Sequence, residues 1–237
     1  MSRKKAATPE FDSGYPKKKP KPSYTLNKVG FRTKRQEVYY NSIMENVITV
    51  STGPAGTGKS YIAVYAALQC LAAGEVSKII MTKPVVEIGN SLGALPGDVD
   101  EKMAPYVRSI EECIADIIGE AGLNNLISRK QLEILPLNYV RGLTIKDAFV
   151  IADEMQNATY AQTKALLTRI GEDAVYVING DLEQSDLKAN SGLPAAIQVL
   201  DGIEGVGSVE FTIDDIVRSG ICKDIIINYH HLEKNMD

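Results

Sequence analysis

The sequence predicts a doubly wound α/β domain on a mostly parallel sheet, preceded by a basic tail. Three observations carry this. Short runs of apolar, β-branched residues alternate with longer helical patterns, as strands do when crossover helices cover both faces of their sheet. The 237 residues suit one full-sized α/β domain with a buried core. From residue 26 onward there is no internal repeat and no interior linker.

The elements follow in order. Val47-Ile48-Thr49-Val50 is a buried strand. Lys59 to Ala73 is a helix, and Lys78-Ile79-Ile80-Met81-Thr82 a second strand. Asp98 caps a helix to about Ile118, with Val99, Met103, Val107, Ile110 and Ile114 on one stripe. Ala148 to Ala152 is a third strand, and Thr159 caps a helix to about Ile170. Ala174 to Ile178 is a fourth strand, and Ser208 to Phe211 a fifth.

Composition excludes several classes. No apolar run approaches the roughly 18 residues of a membrane span. The start, Met1-Ser2-Arg3-Lys4-Lys5, leads into polar sequence, unlike a signal peptide. Cys70, Cys113 and Cys222 lack metal-ligand spacing and read as reduced, mostly buried thiols of a cytoplasmic protein. His230-His231 reads as an ordinary surface pair.

The net charge of −4 conceals an asymmetry. Residues 1–35 carry eleven basic and two acidic side chains, a net +9, against −13 for the remainder. Residues 1–25, centred on Pro16-Lys17-Lys18-Lys19-Pro20-Lys21-Pro22, cannot bury enough apolar surface to offset their ordering entropy. The segment is expected to be a disordered tail, and 26–237 the folded domain. A basic arm of this kind holds a nucleic-acid backbone, docks on an acidic partner, or is simply solvated.

Gly53-Pro54-Ala55-Gly56-Thr57-Gly58-Lys59-Ser60 matches the full G-x-x-x-x-G-K-[ST] phosphate loop, between a predicted strand and a predicted helix. Backbone N–H groups must converge on phosphate oxygens there, and glycine permits that close approach. The helix N-terminus adds partial positive charge. Lys59 is expected to reach the β- and γ-phosphates and Ser60 to ligate Mg²⁺, with Gly53 through Tyr61 as the nucleotide-binding stretch.

Phe149-Val150-Ile151-Ala152-Asp153-Glu154 ends a strand in two acids. Asp153 is the expected Mg²⁺ ligand and Glu154 the base that deprotonates the attacking water. Asn179-Gly180-Asp181-Leu182-Glu183-Gln184 follows the fourth strand. Gln184 is the candidate γ-phosphate sensor, with Asp181 supporting its loop; a turn with a helix cap fits the same residues. Together these motifs point to Mg²⁺-dependent ATP hydrolysis.

The phosphate loop, Asp153-Glu154-Met155-Gln156-Asn157 and Gly180-Asp181-Leu182-Glu183-Gln184 resemble motifs I, II and III of superfamily 1 helicases. More closely, the chain resembles short, single-domain PhoH-like ATPases. Lys83-Pro84-Val85-Val86-Glu87, Leu92 to Asp98, Tyr139 to Thr144, Leu167 to Gly171, Ser191-Gly192-Leu193 and Asp215-Ile216-Val217-Arg218 extend the likeness over about residues 30–228. The resemblance implies a RecA-like fold, Gln36 as the reader of adenine, and Arg218 as the arginine finger. It departs at Lys83, where the family usually has arginine, and at Met155, where it has alanine.

RNA or single-stranded DNA is the expected partner. A nucleotide-controlled assembly protein and a small-molecule kinase are the alternatives, although no Arg-rich lid is evident. The chain has room for one helicase lobe, and no appended ribonuclease domain or second lobe is expected. ATP is therefore expected between subunits of a homo-oligomeric ring, of six subunits as the resemblance implies, with Arg218 reaching a neighbour's γ-phosphate. Arg218 acting within its own chain is the competing arrangement.

Overall fold

The structure, a computed structural model, describes residues 24–85, 99–140, 142 and 144–234. Most of the basic tail, the Asp98 cap and the stretch 86–98 lie outside the described residues. The elements are α1 (Lys34–Glu45), β1 (Ile48–Thr52), α2 (Lys59–Ala73), β2 (Lys78–Lys83), α3 (Val99–Ser128), β3 (Leu132–Pro136), β4 (Ala148–Ala152), α4 (Tyr160–Leu167), β5 (Val175–Gly180), α5 (Leu193–Leu200), β6 (Val206–Glu210) and α6 (Gly220–Lys234).

The six strands pair in parallel throughout, in the order β3-β2-β4-β5-β1-β6. Each strand's alternate residues feed a different apolar layer. Met81, Phe149, Ile151 and Val177 meet Tyr39 and Ile43 of α1, the apolar length of α2, and Met103, Ile110 and Ile114 of α3. Val50, Ile80, Val150, Tyr176 and Ile178 meet Leu166 of α4 and Leu193 and Leu200 of α5. The sheet is thus covered on both faces, as its continuous apolar strands require.

Local signals set several boundaries. Thr33 caps α1 by accepting from the Gln36 N–H. Gly74 ends α2 in the left-handed region, its N–H bonded to the last carbonyls of the helix. Thr159 and Gln162 form a reciprocal capping box on α4, which stops at Leu167, short of the expected Ile170. α3 continues past the expected Ile118 to Ser128, but it breaks at Gly119, where φ is 75° and ψ 160°.

Tyr24, assigned to the tail by composition, already packs against the core, and its hydroxyl donates to Leu68 O at 3.0 Å. The cysteines are free, but only Cys70 is buried; Cys113 and Cys222 are half-buried. α6 presents Ile221, Ile225, Tyr229 and Leu232 to solvent along one stripe. No helix among the described residues is long and apolar enough to cross a membrane.

Candidate nucleotide site

The strand order places the site. β1 delivers the phosphate loop and β4 delivers Asp153-Glu154, yet the two strands are not neighbours: β5 lies between them. The Gly53 N–H donates to Gly180 O at 3.2 Å, so the loop after β5 starts level with the phosphate loop. All three motifs therefore open at the carboxyl edge of the sheet, where ligands of α/β folds bind.

Two glycines are required by their neighbours as well as by their backbone. Gly56 and Gly58 have φ of 83° and 84°. A Cβ on Gly58 would sit 2.7 Å from Gln36 Nε2, and one on Gly56 would sit 2.9 Å from Arg218 Cγ. Gly58 also caps α2, so the loop feeds directly into the N-terminus of that helix.

The Lys59 ammonium donates to Gly53 O at 2.6 Å and to Pro54 O at 2.9 Å, which folds the loop around it. Burial lowers its pKa, opposed by Asp181, Asp153 and Glu154. The Ser60 hydroxyl donates to Asp153 Oδ2 at 2.7 Å. Burial raises the Asp153 pKa, and the Ser60 bond opposes that rise. Burial likewise raises the Asp181 pKa, opposed by the N–H of Glu183 and by Lys59.

Among the described residues no group of three or more His, Cys, Asp or Glu side chains could cage a metal. Ser60 and Asp153 instead offer two oxygen donors side by side. That set fits Mg²⁺, which keeps waters and completes its shell with substrate phosphates.

Glu154 is exposed and sits in the left-handed region at φ 54°, immediately after β4. The Gln156 amide donates to Glu154 Oε2 at 2.7 Å. Gln184 is exposed and lines the cleft with Glu154 and Asp181. The cleft has a volume of about 910 Å³ and is walled by Tyr106, Ser109, Ile110, Cys113 and Asp116 of α3.

Gln36 is buried, 4 % exposed, not on an open helix surface. Its Nε2 donates to Thr57 O at 2.9 Å and its Oε1 accepts from the Arg32 N–H at 2.8 Å. It braces the phosphate loop, with one N–H and one lone pair left for a ligand. Tyr61 turns its hydroxyl to Asp116 Oδ2 at 2.6 Å, joining α2 to the α3 wall. Arg218 lies beside its own chain's phosphate loop: the Val217 N–H donates to Gly56 O at 2.9 Å. Pro54, Ala55 and Thr57 complete the loop, and Thr57 Oγ1 donates to Pro54 O at 3.1 Å.

Three features escaped the sequence reading. Gln156 bridges two motifs, and its place in Asp153-Glu154-Met155-Gln156 was the available signal. The Lys83 ammonium lies 4.5 Å from the centre of the Tyr106 ring, whose buried hydroxyl has no hydrogen-bond partner among the described residues. Tyr39 and Ser51 both donate to Asn179 Oδ1, at 2.5 and 2.8 Å, which pins β5 beneath the site. No sequence pattern announced those last two.

A family model described as PhoH-like protein matches residues 28–230. The PhoH-like protein of Bacillus subtilis (strain 168) is 43% identical over 200 residues, which cover 84% of this chain and 63% of that protein. The PhoH-like protein of Mycobacterium tuberculosis (strain ATCC 25618 / H37Rv) is 40% identical over 205 residues, covering 86% and 58%. Protein PhoH of Escherichia coli (strain K12) is 38% identical over 202 residues, covering 84% and 57%. The chain thus matches about three fifths of the length of these relatives. Among solved structures, the UvsW helicase from bacteriophage T4 overlays with a TM-score of 0.47 at 15% identity, covering 80% of this chain and 62% of that one. That overlay is too loose to bear on function. The match across residues 28–230, with motifs I to III gathered at one sheet edge, shows that the chain belongs to the PhoH-like protein family.

Proposed function

We propose that this protein binds ATP with Mg²⁺ and hydrolyses it, and that hydrolysis is coupled to RNA or single-stranded DNA. The observation that carries the reading is the 2.7 Å bond from Ser60 Oγ to Asp153 Oδ2. It joins two motifs 93 residues apart into one oxygen-donor pair at the phosphate loop.

Each residue then has a task. The phosphate-loop N–H groups and the Lys59 ammonium bind the phosphate chain. Ser60 and Asp153 hold the metal, which when bound screens the phosphate charge. Glu154 takes the proton of the attacking water at its carboxylate. Gln184 senses the terminal phosphate, and Arg218 neutralises charge on it. Gln36 uses its remaining donor and acceptor to read the adenine edge.

Residues 26–237 are the ATPase domain and the basic segment before it is the nucleic-acid arm, in a cytoplasmic protein. The exposed apolar stripe of α6 supports self-association, with a six-membered ring as the form that the family resemblance favours. The second reading, a nucleotide-controlled assembly protein with slow hydrolysis, draws on the same stripe.

Phosphate release measured with Mg²⁺ and ATP, with and without single-stranded RNA or DNA, tests the proposal. Stimulation by the polymer supports coupling. Slow release that ignores the polymer favours the assembly protein. Transfer to a small acceptor in place of water would sink both. Glu154→Gln should retain ATP and release phosphate very slowly.

A further inference from the structure

Gln156 is 4 % exposed, yet its amide has a hydrogen-bond partner at each end. Nε2 donates to Glu154 Oε2 at 2.7 Å, and Oε1 accepts from the Asp181 N–H at 3.1 Å. The partners fix which end is which. A backbone N–H must face the oxygen, and a carboxylate must face the amine. Its own carbonyl accepts from the Ser185 hydroxyl at 2.8 Å, so main chain and side chain both reach the loop after β5.

That loop has no slack at its root. A Cβ on Gly180 would run into the Leu193 side chain, and it would lie 3.1 Å from Gln156 Oε1 and 3.2 Å from Gln156 N. Glu154, by contrast, is exposed, and its backbone sits in a conformation that L residues rarely adopt. Gln156 is the only side chain among the described residues with a hydrogen bond shown to the Glu154 carboxylate.

We propose that Gln156 is a positioning residue: it aims the Glu154 carboxylate and ties that aim to the Asp181–Ser185 loop, which carries Gln184. The proposal rests on the reading of Glu154 as the base. One carboxylate oxygen is held by the amide, which leaves the other to accept the proton. A shift of the loop moves the amide, and the carboxylate follows. Hydrolysis thereby depends on where the loop stands, without any change in the groups that bind the phosphates.

The test uses full-length Gln156→Met, close to glutamine in length and without the amide. Binding of a fluorescent ATP analogue and single-turnover hydrolysis are measured on the same preparation. The expected result is analogue affinity within about twofold of the parent and turnover lower by about ten- to a hundredfold, the effect of one charge-assisted bond. In a Glu154→Gln background the same change should lower the residual rate no further, because Gln156 acts through that carboxylate. Unchanged turnover in the folded single variant overturns the proposal. A full additional loss in the double variant overturns it too, because Gln156 would then act elsewhere. If Gln156→Met fails to fold, Gln156→Glu decides, since its carboxylate can still accept from the Asp181 N–H but has no N–H to donate to Glu154. A severalfold drop in turnover at constant affinity supports the proposal, and no change overturns it. Normal turnover by Glu154→Gln alone would show instead that the base was misassigned.

Discussion

Arg218 lies across Gly56 of its own phosphate loop: a Cβ built on that glycine would meet Arg218 Cγ at 2.9 Å and Nε at 3.3 Å. The neighbouring residue ties the arrangement down, because Val217 O accepts from the Arg32 guanidinium at 3.3 Å. This geometry favours a finger that serves its own nucleotide over one that reaches a neighbour. Arg218→Ala should lower turnover by about a thousandfold or more. Mixing inactive Arg218→Ala with inactive Glu154→Gln in co-assembled samples should restore nothing. Recovery of phosphate release in the mixture would place the finger in the adjacent subunit's site.

Lys59→Ala should abolish hydrolysis and weaken ATP binding. The ammonium also ties together the carbonyls of Gly53 and Pro54, so the variant loses loop order as well as charge. Faster hydrogen exchange of the 53–58 amides without nucleotide should accompany the loss. Exchange that matches the parent would mean the loop holds its shape unaided.

Asp153→Asn should stabilise the nucleotide-free protein at neutral pH while weakening its binding of Mg²⁺. Burial raises the Asp153 pKa above the unfolded value, so the folded state takes up this proton first. The stability contribution is therefore full below the unfolded carboxylate pKa and is lost as pH rises through the folded one. At neutral pH the charge opposes folding, and its removal should raise the Tm of the nucleotide-free protein. A lower Tm for the variant at pH 7 would show that the Ser60 bond outweighs the burial.

Removal of residues 1–22 should leave the ATPase intact, because the cut falls before Tyr24 and its bond to Leu68 O. Binding to single-stranded RNA or DNA should weaken, and each lost phosphate contact should lower the salt slope by about 0.7–0.9. An unchanged slope would make the basic segment irrelevant to the polymer.

What was legible in the sequence was what is contiguous. The phosphate loop carries its chemistry in eight consecutive residues, and β1, β4 and β5 are buried throughout, so their apolar runs stand out. β3 is half-exposed and carries Glu133, which pairs with Lys78 of β2, so its pattern is diluted. α1 has buried Tyr39 and Ile43 but a largely polar surface, and α6 leaves Ile221, Ile225, Tyr229 and Leu232 exposed. Nothing local marks Gln36 as buried, because the carbonyl that it meets, Thr57 O, is 21 positions away. The geometry of the Gln156 bridge was hidden for the same reason: its partner Asp181 is 25 positions away, in the loop after β5.

The break at Gly119 makes α3 two mechanical parts instead of one rod. The first part carries Tyr106, Ser109, Ile110, Cys113 and Asp116 along the cleft, while the second anchors Leu123 and Leu126 in the core. At φ 75° and ψ 160° the joint has a geometry that essentially only glycine adopts. A continuous helix would carry any repacking around Leu126 straight to the cleft as a lever. The joint interrupts that lever, and the wall keeps its own hold on the core through Ile114 and Ile117, both fully buried before the break.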